Sequence, residues 1–388
     1  MGIYLNPGPA MLRQGRRSKV YVDKSAMISY LDSVLNTEQK YVCVSRPRRF
    51  GKTMAANMVC AYYDRTVDGA AEFAGLDIAA DPGFDEHRNR YDVLHVNVSQ
   101  FYYGARRDLE KAISDLSRSV VWDLRYAHPD VSLSDETDLR KCLGEVFART
   151  GVPFVVVVDS WDCPIRLKAS EDEQSRYLEF LSHWLSDSPW LALCYMTGVL
   201  PIKRYGSHSA LGMFVEFGMT SPRQMAPYMG LTEDEVRALC GEWGQDLDEC
   251  RALYGGYRFE GVDGVLVEAY SPISIAGSMT SGNLRNYWNE TETYEALKCY
   301  LDLDVAGLRE RVACLVAGGR VSVTTEACAN DMTTFNSADD VLTLLVHLGY
   351  LAYDAATGKA YVPNREVMGV FEASPRNLGT RAGSMVAA

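Results

Sequence analysis

The chain lacks the patterns that most cheaply announce a function. None of its ten cysteines forms a C-x-x-C pair, and none of its six histidines stands at H-x-x-x-H or H-x-x-E-H spacing. The usual structural zinc signatures are therefore absent. No apolar stretch approaches the roughly 18 residues of a membrane span. The first residues carry no hydrophobic core of a signal peptide. Cys43, Cys60, Cys163 and Cys194 lie in apolar contexts. Without a signal peptide they read as reduced thiols, and the expected location is cytoplasmic. Positive charge is short as well. Lys and Arg number 39 against 51 Asp and Glu, a net charge of −12. That disfavours strong direct contact with nucleic acid and leaves room only for a local basic patch. There are no internal repeats or low-complexity tracts.

What is present is an ordinary globular composition, 47% hydrophobic and 23% charged, over 388 residues. That length suggests two or three domains. The informative segment is 45–53, SRPRRFGKT. It follows the apolar run Tyr41-Val42-Cys43-Val44 and precedes the helix-forming MAANMVCAYY. Strand, short loop and helix in this order build a phosphate cradle, because loop amides and a helix N-terminus point at phosphate oxygens. Gly51 permits close approach of the main chain. Lys52 can reach β/γ-phosphates, and the Thr53 hydroxyl can ligate Mg²⁺. Arg46, Arg48 and Arg49 make the local basic patch, and bound phosphate explains it better than nucleic acid. One departure is plain: the first glycine of the usual G-x-x-x-x-G-K-[ST] pattern is Arg46.

Residues 154–165, FVVVVDSWDCPI, supply the complement. An apolar run without alternation suits a parallel strand buried on both faces. Asp159 closes it at the carboxyl end, where ligands bind in open α/β sheets. It can hold the Mg²⁺ bound by Thr53, or merely end a core strand before Pro164.

With these residues in hand, the chain resembles the bacterial AAA-ATPase-like proteins, P-loop ATPases often fused to a C-terminal PD-(D/E)XK-type nuclease. Beyond the two segments above, the resemblance is carried by VDKS (22–25), MTGVLPIKRYGSHSAL (196–211), GLTEDEVRAL (230–239), YGGYRF (254–259), YWNETETYEAL (287–297) and NDMTTFNSADDVLTLLVHLGYLAYD (330–354). It spans Val20 to about Val367. In that family the loop reads R-P-R-R-F-G-K-S/T, so Arg46 is normal. The resemblance implies ATP and Mg²⁺ as ligands. It also implies a polar sensor at the end of the strand after the Walker B segment, where Thr197 stands; the plain alternative is a Thr opening a turn. The family's Walker B segment usually reads Asp-Glu-Tyr-Asp, and here it is Asp159-Ser160-Trp161-Asp162. A neutral hydroxyl at Ser160 cannot serve as the carboxylate base. The family's nuclease would begin near residue 370, and it is missing from this sequence.

The expected fold class is α/β. A three-layer P-loop NTPase core with a parallel sheet spans 19–215, a mainly helical domain 216–300, and a winged-helix-like domain 301–368. A flexible N-terminus is expected at 1–18, and a disordered or truncated tail at 369–388. Four strands are expected in the core, at 41–44, 91–99, 154–159 and 191–197, with a short extended piece at Val20–Val22. Helices are expected at 108–126, 135–150 and 171–185, with mostly loop at 64–89. Thr232 with Glu235 forms a capping box. Residues 304–363 read as helix, strand, helix and hairpin, but the second helix carries Asp339 and Asp340 and no cations for phosphates.

Several further residues admit two readings. Asp162 could replace the missing base or play a structural part such as capping the next helix. Arg204, beside Lys203, could reach a γ-phosphate or be a solvated loop cation. Asp23 and Lys24 could frame the nucleotide, or Asp23 could shape a turn. Phe101-Tyr102-Tyr103 reads as packing. Asp92 and Glu290 show no partner pattern. The leading expectation is an ATP-binding, Mg²⁺-dependent ATPase with Lys52, Asp159 and Thr197 as its catalytic set, slow because of Ser160. A non-hydrolysing nucleotide switch or scaffold, and a DNA-associated ATPase working beside a nuclease, are the alternatives. A protein partner or self-association stays open.

Overall fold

The computed structural model describes residues 2–202, 209–288, 294–326 and 328–372. The chain forms two compact units: Met1–Ser45 with Gly51–Phe217, and Arg46–Phe50 with Gly218–Ala388.

The first unit is built on a five-stranded, wholly parallel sheet. Its strands are β1 (Tyr41–Ser45), β2 (Asp92–Asn97), β3 (Phe154–Asp159), β4 (Leu191–Gly198) and β5 (Val215–Phe217), in the order β2-β3-β4-β1-β5. β1, β3 and β4 are buried at every position, as an apolar run without alternation requires. β5, a fifth strand of three residues, was not expected. The helices match their sequence signals. Asp108 caps Leu109–Ala127, and Asp138 caps Leu139–Thr150. The latter ends on Gly151 at φ 69°, a left-handed position. Ser170 and Glu173 form a reciprocal capping box for Glu171–Leu185. Asp64–Asn89 contains three short helical turns, with Phe73 and Leu76 buried.

The N-terminus corrects its expectation. Ala10–Arg16 is helical, Leu5 and Leu12 are buried, and Asn6 exchanges hydrogen bonds with Val93. Tyr4 and Asn6 pair along the outer edge of β2, with Leu5 opposite Leu94. Three apolar or amide side chains with buried partners outweigh the disordering effect of the Gly and Pro around them. Val20–Val22 forms no strand.

The second unit also differs from expectation. Beside their helices, residues 216–300 hold a small sheet that was not expected. β6 (Leu231–Thr232), β7 (Tyr257–Glu260) and β8 (Leu266–Tyr270) form an antiparallel sheet in the order β6-β8-β7. The Thr232–Glu235 capping box is present on Glu233–Trp243. From residue 308 the order is helix (Leu308–Val316), β9 (Val321–Ser322), helix (Ala338–Leu348), β10 (Ala352–Asp354) and β11 (Lys359–Tyr361). These three strands make a second antiparallel sheet, β10-β11-β9. The residues expected as two domains, 216–300 and 301–368, fall within this one compact unit apart from 216 and 217.

Candidate functional site

The loop at the carboxyl end of β1 is set by two left-handed residues, Arg49 at φ 63° and Gly51 at φ 81°. A Cβ at Gly51 would meet nothing within 4 Å. Glycine is favoured there by backbone conformation, not by crowding. Gly51 stands immediately before the helix Lys52–Tyr63, so the N–H groups of its first turn open directly off the loop. The helix carries no acidic residue in that turn to compete for them. Thr53 is exposed, and its hydroxyl donates to Asp159 Oδ2 at 2.9 Å.

Asp159 ends β3 and is 1% exposed. The same Oδ2 accepts from Asn97 Nδ2 at 3.2 Å. Asn97 ends β2 in register with Asp159, and its Oδ1 accepts from the Ser99 amide and hydroxyl. The Asn97 side chain is thus anchored on one side and holds Asp159 on the other. Sequence reasoning missed it, since a lone Asn closing a strand has no pattern. Its only signal is the strand alignment that puts it beside Asp159.

Thr197 lies on β4 between β1 and β3, in register with Val44 and Asp159. It is fully buried, and its hydroxyl donates to the Val44 carbonyl at 2.9 Å. Lys52 is partly exposed, while Arg48 and Arg49 are exposed and Arg46 is buried. Lys203 and Arg204 lie outside the described residues, as does Glu290.

Ser160 follows Asp159 in a left-handed conformation, φ 55°. Asp162 is 0% exposed and structural in its contacts. Its Oδ2 accepts from the Val199 amide at 3.0 Å, the Leu200 amide at 2.9 Å and Arg166 Nε at 2.9 Å. It does not cap the following helix with its side chain. Instead it clamps the chain leaving β4. The clamp explains Gly198: a Cβ there would sit 2.7 Å from Trp161 Nε1 and 2.8 Å from Asp162 Oδ1. Asp23 shapes a turn, accepting from the Ser25 and Asp77 amides. Asp92 has partners after all: Arg65 grips it with two hydrogen bonds of 2.8 and 2.9 Å, and Asn6 adds a third.

The family model described as "Predicted AAA-ATPase" matches residues 12–206, just over half of the chain. The chain belongs to this predicted AAA-ATPase family. The matched stretch contains the loop, Asp159 and Thr197. No curated protein matches. Among solved structures, the chain is similar to the Walker-type ATPase PABY2304 of Pyrococcus abyssi, with 14% identity, 90% of this chain and 94% of that one covered, and a TM-score of 0.45. It is also similar to the Aeropyrum pernix Orc1 protein, solved in complex with DNA, with 11% identity, 97% and 98% coverage, and a TM-score of 0.33. Among the described residues of this AAA-ATPase family member, no helix is long and apolar enough to cross a membrane. None of them form a cluster of three or more His, Cys, Asp or Glu side chains fit for a metal.

Proposed function

We propose that this protein binds ATP with Mg²⁺ at residues 46–53 and hydrolyses it slowly, in the cytoplasm. The observation that carries this reading is the Thr53–Asp159 contact of 2.9 Å, at the first turn of a helix that opens directly off left-handed Gly51. Two hard oxygen donors suit Mg²⁺, which takes one or two protein ligands and completes its shell with phosphate and water. The ion would neutralise charge on the phosphates. The helix amides would bind the phosphate oxygens, and Lys52 would add a fixed positive charge. Asn97 would hold Asp159 in place. Thr197 would donate to a γ-phosphate or water only by leaving the Val44 carbonyl, so a sensor role through donation implies a change of partner on binding.

The slow rate follows from Ser160. Ser160 carries no carboxylate, and Asp162 is fully buried, its Oδ2 accepting three hydrogen bonds while Oδ1 has no hydrogen-bond partner among the described residues. The same observation favours a second reading, a nucleotide-dependent switch that binds and does not turn over. The winged-helix reading of 301–368 rests on element order, and its second helix, Ala338–Leu348, carries Asp339 and Asp340 and no Lys or Arg.

The test is titration with a fluorescent ATP analogue and Mg²⁺. The native chain should bind, and Lys52→Ala should bind much more weakly. Equal affinity in a folded Lys52→Ala protein would remove the assignment. Turnover measured in the same samples separates the slow ATPase from the switch.

A further inference from the structure

Five residues of the phosphate loop, Arg46–Phe50, are built into the second unit. Arg46, Pro47 and Phe50 are buried there, while Arg48 and Arg49 stay exposed. The Arg46 guanidinium lies over the Phe259 ring, 5.1 Å from its centroid. Phe50 meets Tyr257 edge-on, with centroids 5.5 Å apart and planes at 90°. Tyr257 and Phe259 occupy the alternate, inward positions of β7, with Arg258 and Glu260 outside. The Tyr257 hydroxyl donates to the Gly349 carbonyl at 2.7 Å. Gly349, at φ 87°, lies so close to Pro47 that a Cβ would sit 2.7 Å from its ring.

We propose that Phe259 and Tyr257 are positioning residues for the phosphate loop. They hold Arg46 and Phe50, and so fix the backbone that leads into Gly51, Lys52 and Thr53. A loop with a left-handed Arg49 keeps that shape only where its surroundings over-determine it. Ordering it in advance spares the ligand that cost, and affinity gains accordingly. The residues touch no phosphate; they act through Arg46 and Phe50. This inference rests on the nucleotide reading above.

The experiment measures binding of a fluorescent ATP analogue with Mg²⁺ to the full chain, well below its melting temperature. Phe259→Leu keeps an apolar side chain and removes the ring face. It should weaken binding roughly tenfold, the effect of losing one desolvated cation–π contact. Arg46→Met should weaken it too, and the double variant should be little worse than Arg46→Met alone, since both remove one interaction. A Phe259→Leu affinity equal to native, or full additivity in the double variant, overturns the inference. Hydrogen exchange on the native protein gives an independent arm that no folding defect can spoil. Adding MgATP should slow exchange at 46–50 and at 257–260 together, and slowing at 46–50 alone overturns the inference. If the native chain binds no nucleotide at all, the underlying reading falls with it, and the two failures are told apart.

Discussion

Replacing Asp162 with alanine should be among the most damaging single changes in the first unit. Its carboxylate is fully buried and accepts from two backbone amides, Val199 and Leu200, and from Arg166, whose side chain is only 14% exposed. Alanine strands all three donors. Breaking a buried ion pair by removing one partner costs about 3–5 kcal/mol, and each buried N–H left without an acceptor costs about 1–3 kcal/mol. The two overlap, and the chain leaving β4 will relax partway, so about 4 kcal/mol is a sound expectation. For a unit of this size that lowers the melting temperature by about 10 °C. Scanning calorimetry on the purified chain would read it. Asp162→Asn keeps an oxygen for the amides and should fall between native and Ala. At a temperature where all three are folded, Asp162→Asn should bind and turn over MgATP within about twofold of native, because the side chain is occupied in structure. A melting point for Asp162→Ala within about 2 °C of native would refute the clamp. A hundredfold loss of kcat in folded Asp162→Asn, with affinity kept, would show that Asp162 acts on water; a loss of about that size is expected from removing a catalytic carboxylate.

Two other outcomes follow from the site. Ser160→Glu should raise kcat by up to about 10²-fold or more, with little change in affinity, because it restores the missing base; a native rate of about 1 s⁻¹ or faster would refute the slow reading. His95 carries a pH signature. Burial pushes its imidazole below the ordinary value, against the pull of Asp159. The unfolded chain then takes the proton first as pH falls. Stability carried by neutral His95 is therefore complete above about pH 6.5 and declines below it, towards the lower folded value. His95→Gln should lose less melting temperature than native between about pH 7.5 and 5, and parallel curves would refute this.

Long apolar runs made the parallel sheet legible. β1, β3 and β4 are buried throughout, and a strand with no polar face advertises that. The Thr232 cap was legible because its bond with Glu235 is local in sequence, whereas the helix expected from residue 135 starts at Leu139. The short strands β5, β6, β7 and β8 were not legible, whereas the hairpin of β10 and β11 was. β5 has three residues, and β7 alternates over only four. At the site, residue types and order pointed to Lys52, Thr53 and Asp159, and the last two meet in space. Asn97 and the two amide partners of Asp162 depend on contacts 37 to 62 residues apart in sequence, which no local pattern encodes. The N-terminal residues were misread for the same reason: Asn6 finds its partners 86 and 87 residues away.

Borrowing five residues from within another unit's sequence has a consequence for how such a protein can be cut or shuffled. No single scission yields both pieces whole. A fragment starting at Gly218 would leave Arg46, Pro47 and Phe50 behind, and the inner face of β7 would lose the side chains that cover it. A gene rearrangement that swapped the C-terminal half for a foreign module would likewise leave the RPRRF pentapeptide without its seat. The pentapeptide and its distant seat must therefore be inherited together, so the recombinable cassette is the pair and not either half.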